Sequence, residues 1–218
     1  MEISVVQDAL LRAVSGKELL GHPFYRRWVG GNMEVSELRS YAEQYRYFEA
    51  ALPDLLGSLI AGAQNDRSKK LIERNLEDEL GTSGRPSHLA IFDEFARSVC
   101  ADPAAPSSDA TESLLESHRD LVAEGTTAGL AGLLAYEMQL PALASTKAQG
   151  LRERFSMGDK AVEFWDVHAS IDEDHATWGL EALVELDASA EVVLDAASRA
   201  ADAWWSFLDE REAEHQPA

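Results

Sequence analysis

The sequence predicts an all-α protein, and three observations carry that prediction. Ala, Leu and Glu, all strong helix formers, dominate the 218 residues, and β-branched runs are scarce. Apolar residues return at helical spacing along most of the chain. Neither strand–helix alternation nor an internal repeat interrupts the pattern. Hydrophobic residues make up 45% of the chain, which suits a packed core rather than a disordered polymer. The length suits one domain over residues 1–218, with a frayed tail near 214–218.

Val5, Leu10, Leu11 and Val14 open the chain at helical spacing, and Gly16 can stop that helix. His22-Pro23-Phe24-Tyr25 starts a short helix, with Pro23 suited to a first turn, and Gly30-Gly31-Asn32 breaks it. A long helix is expected over residues 36–61. Leu38, Tyr41, Tyr45, Phe48, Leu52, Leu55 and Leu59 trace its apolar face, and Pro53 is a candidate kink. After a turn at Asn65-Asp66, a helix carries Leu71, Ile72, Asn75 and Glu79 and ends near Gly81. Residues 81–87 read as a loop, and Ser87 can cap a helix holding His88, Ile91, Phe92 and Phe95. Residues 101–110 form the clearest surface linker. Further helices are expected over 111–123, 126–148, 157–185 and 188–213.

Charge narrows the function. The formal net charge is -20, from 39 acidic and 19 basic residues. Such a surface repels nucleic-acid phosphates and anionic membranes, so neither is an expected partner. No apolar run is long enough to span a bilayer, and the start of the chain lacks the layout of an export signal. The single cysteine, Cys100, excludes an internal disulfide, and a reducing, cytoplasmic home is expected.

The sharpest local signal is His168-Ala169-Ser170-Ile171-Asp172-Glu173-Asp174-His175. On a helix turning 100° per residue, Asp172 lies about 40° from His168, and His175 about 20° on the other side. Two imidazoles and a carboxylate on one face suit iron, manganese or zinc; the plainer alternative is a surface helix with incidental histidines. Glu79 can leave one helix end while His88 enters from the next. The alternatives are a solvated helix end and a packed or capping histidine. Glu137 lies in a markedly apolar helix, where a lone carboxylate is costly unless paired or bound to a metal. Glu79, His88, Glu137, His168, Asp172 and His175 therefore form a candidate set of three nitrogens and three carboxylates. Such a set can hold two metals and leave positions for dioxygen.

Together these pieces resemble the haem-oxygenase-like diiron oxidase superfamily, and within it the para-aminobenzoate synthase-like branch that includes the chlamydial death-domain-associating protein. The resemblance runs from His22 to His175. It rests on His22-Pro23-Phe24-Tyr25, Tyr41-Ala42-Glu43-Gln44-Tyr45, Asn75 to Gly81 with His88, Tyr136-Glu137-Met138-Gln139-Leu140-Pro141, Lys147 with Gly150-Leu151, and His168-x3-Asp172-x2-His175. It implies a TenA/PqqC-like bundle of seven or eight helices without haem. It also implies two iron ions, with manganese or an iron/manganese pair as alternatives. Dioxygen and an external electron donor are the implied co-substrates, and a homodimer the implied assembly.

Motif by motif, the resemblance makes the six residues above the metal ligands. The loop between Glu79 and His88 is two residues longer than in close relatives, which leaves Glu77 or Asp78 as alternatives to Glu79; Asn75 sets the register for Glu79. The resemblance further implies para-aminobenzoate formation for folate from the protein's own Tyr25, with nitrogen from Lys147. The helix carrying Tyr25 is then expected to face the metal cavity. Taken alone, Tyr25 reads as a core residue and Lys147 as a solvated helix-end lysine. Tyr41 and Tyr45 share a face that Tyr47 does not, as a radical relay or simply as core aromatics. The rival functions are a diiron oxidase acting on an external fatty-acid or amino-acid-like substrate, and a non-catalytic helical interaction protein. Arg26, Arg27 and Arg46 are candidates for a substrate carboxylate or for exposed salt bridges. Cys100 reads as inert. His118, among charged neighbours, reads as a solvated residue, and His215 falls in the polar tail; neither is expected to bind metal.

Overall fold

A computed structural model of the chain describes residues 2–81 and 84–214, the side chains at 171–173 excepted. Ten α-helical segments follow one another: α1 (Ile3–Val14), α2 (Pro23–Gly30), α3 (Val35–Gly62), α4 (Asp66–Leu80), α5 (His88–Ser98), α6 (Asp109–Glu124), α7 (Thr126–Glu137), α8 (Leu140–Phe155), α9 (Asp159–Glu185) and α10 (Ala190–Ala213). A single 3₁₀ turn, Leu19–Gly21, precedes α2. No strand occurs among the described residues, and none of their helices is long and apolar enough to cross a membrane.

Helix ends follow local chemistry. In His22-Pro23-Phe24-Tyr25, the His22 ring accepts the Phe24 N–H at 3.1 Å through Nδ1, and Pro23 occupies the first turn of α2, where no amide is needed. Asn65, Ser87, Ser108 and Ser189 cap α4, α5, α6 and α10 in the usual way. Helix α3 runs through Pro53 without a break.

The helix expected over 126–148 is divided. Pro141 has no N–H to return to the α7 backbone, so α7 closes with a shortened turn from Gln139 N–H to the Tyr136 carbonyl, and α8 starts afresh. The Gln139 side chain then ties this break to the Leu19 N–H at 2.8 Å. This division, together with the short α2, is why the described residues form more segments than seven or eight.

The segment expected as a linker over 101–110 is held against α3. Gln44 donates to the Pro106 carbonyl at 3.0 Å and Tyr47 to the Ala105 carbonyl at 2.6 Å. One continuous cluster of buried apolar side chains runs from Val6 to Leu208. At its centre lies α7, buried all round and packed on α6, α9 and α10. Several polar side chains, among them Glu49, Glu79, His88, Glu137, Lys147 and His168, are embedded in this core.

Candidate metal centre

The turn between α4 and α5 builds the first half of the site. Gly81 ends α4 in the left-handed region at φ 72°, and a Cβ there would collide with the backbone of Pro86 and Ser87. The chain can therefore double back on itself, bringing His88 at the start of α5 against Glu79 at the end of α4. His88 Nδ1 lies 2.9 Å from Glu79 Oε2, both groups buried. Of the three neighbouring acids, Glu79 turns inward, Asp78 is half-buried and Glu77 is exposed.

Helix α9 supplies the second half. His168 Nδ1 donates to the Phe164 carbonyl at 2.7 Å, which leaves Nε2 as a bare lone pair directed away from its own helix. The His88 and His168 ring centres are 4.6 Å apart, and His175 stacks 6.1 Å from His88. His175 places Nδ1 3.8 Å from Glu79 Oε1 and Nε2 3.4 Å from Asp78 Oδ2. Asp172 stands between the two histidines in sequence, and its side chain lies outside the described residues, as does His215. One ligand atom each from Glu79, His88 and His168 lies within 4.8 Å of the others.

Glu137, the last residue of α7, lines the same small cavity as Glu79, His168 and His175. Asn75, one turn before Glu79, donates to Glu137 Oε1 at 3.1 Å. The cavity holds about 10 Å³, the size of one water or ion.

The electrostatics are those of a site built around positive charge. Burial raises Glu137, while His175 and Asn75 pull it back only in part. Burial also works against Glu79, but His88 outweighs it and the carboxyl stays below its usual range. His88 is raised in return, because Glu79 overcomes its desolvation. Burial and the neighbouring His88 drive His168 down to about 3, so its ring is neutral. His88 Nδ1, 2.9 Å from Glu79 Oε2, and Glu137 Oε2 are buried with no hydrogen-bond partner, and a metal ion between these groups would satisfy them. A neutral imidazole such as that of His168, beside buried carboxylates, is a donor that iron accepts.

One carboxylate in this cavity escaped the sequence reading. Glu49 on α3 is 3% exposed and lines the cavity with Phe48 and Leu52. Burial, then the nearby Glu79, pushes it up to about 8. It lies one turn from Tyr45 and one turn from Leu52, on the apolar stripe already traced along α3. A charged residue inside that stripe was the available signal.

A second polar cluster lies deeper in the bundle. Lys147 on α8 is 1% exposed, not solvated. Its position one turn before the close packing of Gly150 on Trp28 turns it into the core rather than outward. Lys147 Nζ donates to the Tyr41 hydroxyl at 2.7 Å, and Tyr41 is 3.2 Å from the Tyr25 hydroxyl. Nζ also sits 4.0 Å from the Trp165 ring centre, 4.6 Å from Tyr25 and 4.8 Å from Tyr41. Burial drives its amine well below the lysine range, against the pull of Glu49. Tyr25 does not line the metal cavity. Tyr41 and Tyr45 stand between, stacked at 5.3 Å, and the Tyr45 hydroxyl meets that of Tyr136 at 2.8 Å. Tyr47 points away, as its face on α3 requires. Arg27 pairs with Glu37 and Glu212, and Arg46 with Asp93. Cys100 is exposed.

His118 departs from expectation. Its sequence neighbours Glu116, Arg119 and Asp120 are exposed, but the helical period places it with Leu114, Leu115 and Leu121 on the buried face of α6. Its Nδ1 donates to the Leu114 carbonyl at 3.0 Å, and its ring packs on Phe48 and Trp204.

Over residues 39–205 the sequence matches the haem-oxygenase-type family described as iron-containing redox enzymes. The chain belongs to this family. As an iron-containing redox enzyme it is an oxidoreductase, and the buried Glu79–His88–His168 group could hold a metal ion. A 4-aminobenzoate synthase from Nitrosomonas europaea is 35% identical over 214 residues, covering 90% of this chain and 86% of the relative. A 4-aminobenzoate synthase from Chlamydia trachomatis is 29% identical over 210 residues, covering 93% and 90%. Among solved structures, a CADD-like protein of unknown function from Nostoc punctiforme has a TM-score of 0.80 at 16% identity, covering 98% of each chain. A protein of haem-oxygenase-like fold from Shewanella denitrificans also scores 0.80 at 15% identity, covering 99% and 94%, as does a TenA homologue from Pseudomonas syringae, covering 98% and 96%. The fold of this iron-containing redox enzyme is thus haem-oxygenase-like and all-helical.

Proposed function

We propose that this protein forms 4-aminobenzoate from its own Tyr25, with Lys147 as the source of nitrogen, and that Glu79, His88, Glu137, His168, Asp172 and His175 hold two metal ions, both iron or iron with manganese. The observation that carries the reading is the buried Lys147 amine, 4.6 Å from the centre of the Tyr25 ring and hydrogen-bonded to the tyrosine that Tyr25 itself touches. Relatives named 4-aminobenzoate synthase, similar over about nine-tenths of the chain, support it.

The metal pair supplies activation of dioxygen with electrons from an external donor. The chain's own residues supply the rest. Burial favours the uncharged amine of Lys147, the form whose lone pair makes an amine a nucleophile. Tyr41 fixes that amine and the Tyr25 hydroxyl at one point, and the rings of Trp28 and Trp165 exclude water around them. Tyr45 and Tyr41 join the two clusters through contiguous rings, so Tyr25 need not touch the metal cavity.

An oxidase acting on a fatty or amino-acid-like substrate is less well supported. The central cavity, at about 10 Å³, has no room for an acyl chain, and Arg27 and Arg46 are already paired with acids of the chain itself. A purely non-catalytic interaction protein leaves the buried, unpartnered metal donors without a reason. Cytoplasmic location and a homodimer belong to the same reading.

The test labels the tyrosine rings of the purified chain, loads it with iron and manganese, and adds dioxygen and reductant. Labelled 4-aminobenzoate is expected at no more than about one per chain, with a matching mass loss at Tyr25. Equal yield from Tyr25→Phe, or multiple turnovers with unlabelled product, rejects the proposal. Lys147→Arg keeps a cation but cannot give up its nitrogen in the same way; full yield from that variant removes the lysine's role.

A further inference from the structure

We propose that Glu49 is a further carboxylate of the metal centre, turning its buried Oε2 to the metal ions. Two observations point there. Glu49 is buried in the cavity wall beside Glu79, Glu137, His168 and His175. Its Oε2 is buried with no hydrogen-bond partner.

Charge balance gives the reason. Two divalent ions bring four positive charges, and Glu79, Glu137 and Asp172 offset three of them, since the histidines are neutral as ligands. A net charge in a dry interior is costly, and a fourth carboxylate removes it. The same residue without the ions is an unpaired acid next to other acids, which folding would select against.

The assignment rests on the two-ion reading, and the test separates the two. Co(II) is titrated anaerobically into the purified chain, with bound metal counted by equilibrium dialysis and the coordination followed by visible absorption. Neither readout depends on product formation. Wild-type protein is expected to take two Co(II) ions. Glu49→Gln, which keeps the shape but not the charge, should weaken at least one ion tenfold or more and change the absorption. Tyr45→Phe should leave both affinities within about twofold. Circular dichroism on Glu49→Gln is expected to match the wild type, because the amide removes a buried charge; Glu49→Ala checks the same loss by truncation. Two Co(II) ions bound by both Glu49 variants at wild-type affinity and with an unchanged spectrum overturn the proposal. If the wild type takes only one ion, the two-ion reading fails, and Glu49 is judged by whether its variants weaken that single ion.

Discussion

His168 shows how one hydrogen bond sets the chemistry of a side chain. Its Nδ1–H is committed to the Phe164 carbonyl one turn back, so only Nε2 can face the cavity, and burial keeps the ring neutral. Replacing it by Ala, or Glu137 by Ala, should abolish loading of two irons while helicity by circular dichroism stays near wild type; iron analysis after anaerobic reconstitution decides, and normal loading in either variant refutes the ligand set. His118 is a different buried histidine. Desolvation holds it down to about 4, whereas an unfolded chain takes up its proton near 6.5. Its folded pKa is depressed, so it costs nothing above pH 6.5, and stability falls as pH drops from 6.5 towards 4. The loss reaches about 3 kcal/mol. Urea titrations at pH 7 and pH 4.5 should show a smaller acid loss for His118→Gln than for the wild type, with metal loading unchanged. An equal acid loss in both proteins would rule out His118 as the source.

At the scale of elements, the α4–α5 turn decides whether Glu79 and His88 meet. Gly81 is required there by its positive φ and by the backbone of Pro86 and Ser87 pressed against it. Gly81→Ala should cost about 2 kcal/mol or more, since strain and collision act together. It should also weaken metal binding more than a surface change of equal destabilisation, because the two ligands are displaced; unaltered metal affinity would show that the turn does not set the site. The α7–α8 break has a parallel role. It ends α7 near Glu137 and lets α8 set out anew to bring Lys147 over the rings of Tyr25 and Trp165. Gly150 then admits the Trp28 ring against α8.

At the scale of the whole molecule, two terms should dominate the response to solution conditions. A net charge of -20 is self-repulsive in the compact state, and salt screens it over about 10 Å at 0.1 M. Thermal midpoints are expected to rise between 0.05 and about 0.5 M sodium chloride; a flat or falling midpoint would mean the surface acids are locally paired. Metal binding to the folded chain alone adds about 2.7 kcal/mol at a hundredfold excess over Kd, or roughly 5–10 °C for a chain of this size. Differential scanning calorimetry with and without ferrous iron under nitrogen measures this directly, and an unchanged midpoint would mean that the cavity does not bind the ion.

Periodicity by itself determined the class of the fold and most helix limits, because an amphipathic helix must repeat its apolar residues every three to four positions to bury one face. The same rule put His168, Asp172 and His175 on one side of a helix, and motif resemblance added the rest of the proposed ligand set. What it could not decide is which face of each helix is turned to which neighbour. Lys147 is polar in sequence and buried in fact; His118 sits among exposed charges yet faces Phe48 and Trp204; Tyr25 reaches Lys147 through Tyr41 rather than the metal cavity. Glu49 was visible as an acid on an apolar stripe, but only the packing of α3 against α4, α7 and α9 made it a neighbour of the metal donors. Local pattern is written residue by residue along one helix. Contacts between residues as far apart as Tyr41 and Lys147 depend on how the helices share one core, and that is a property of the packed bundle.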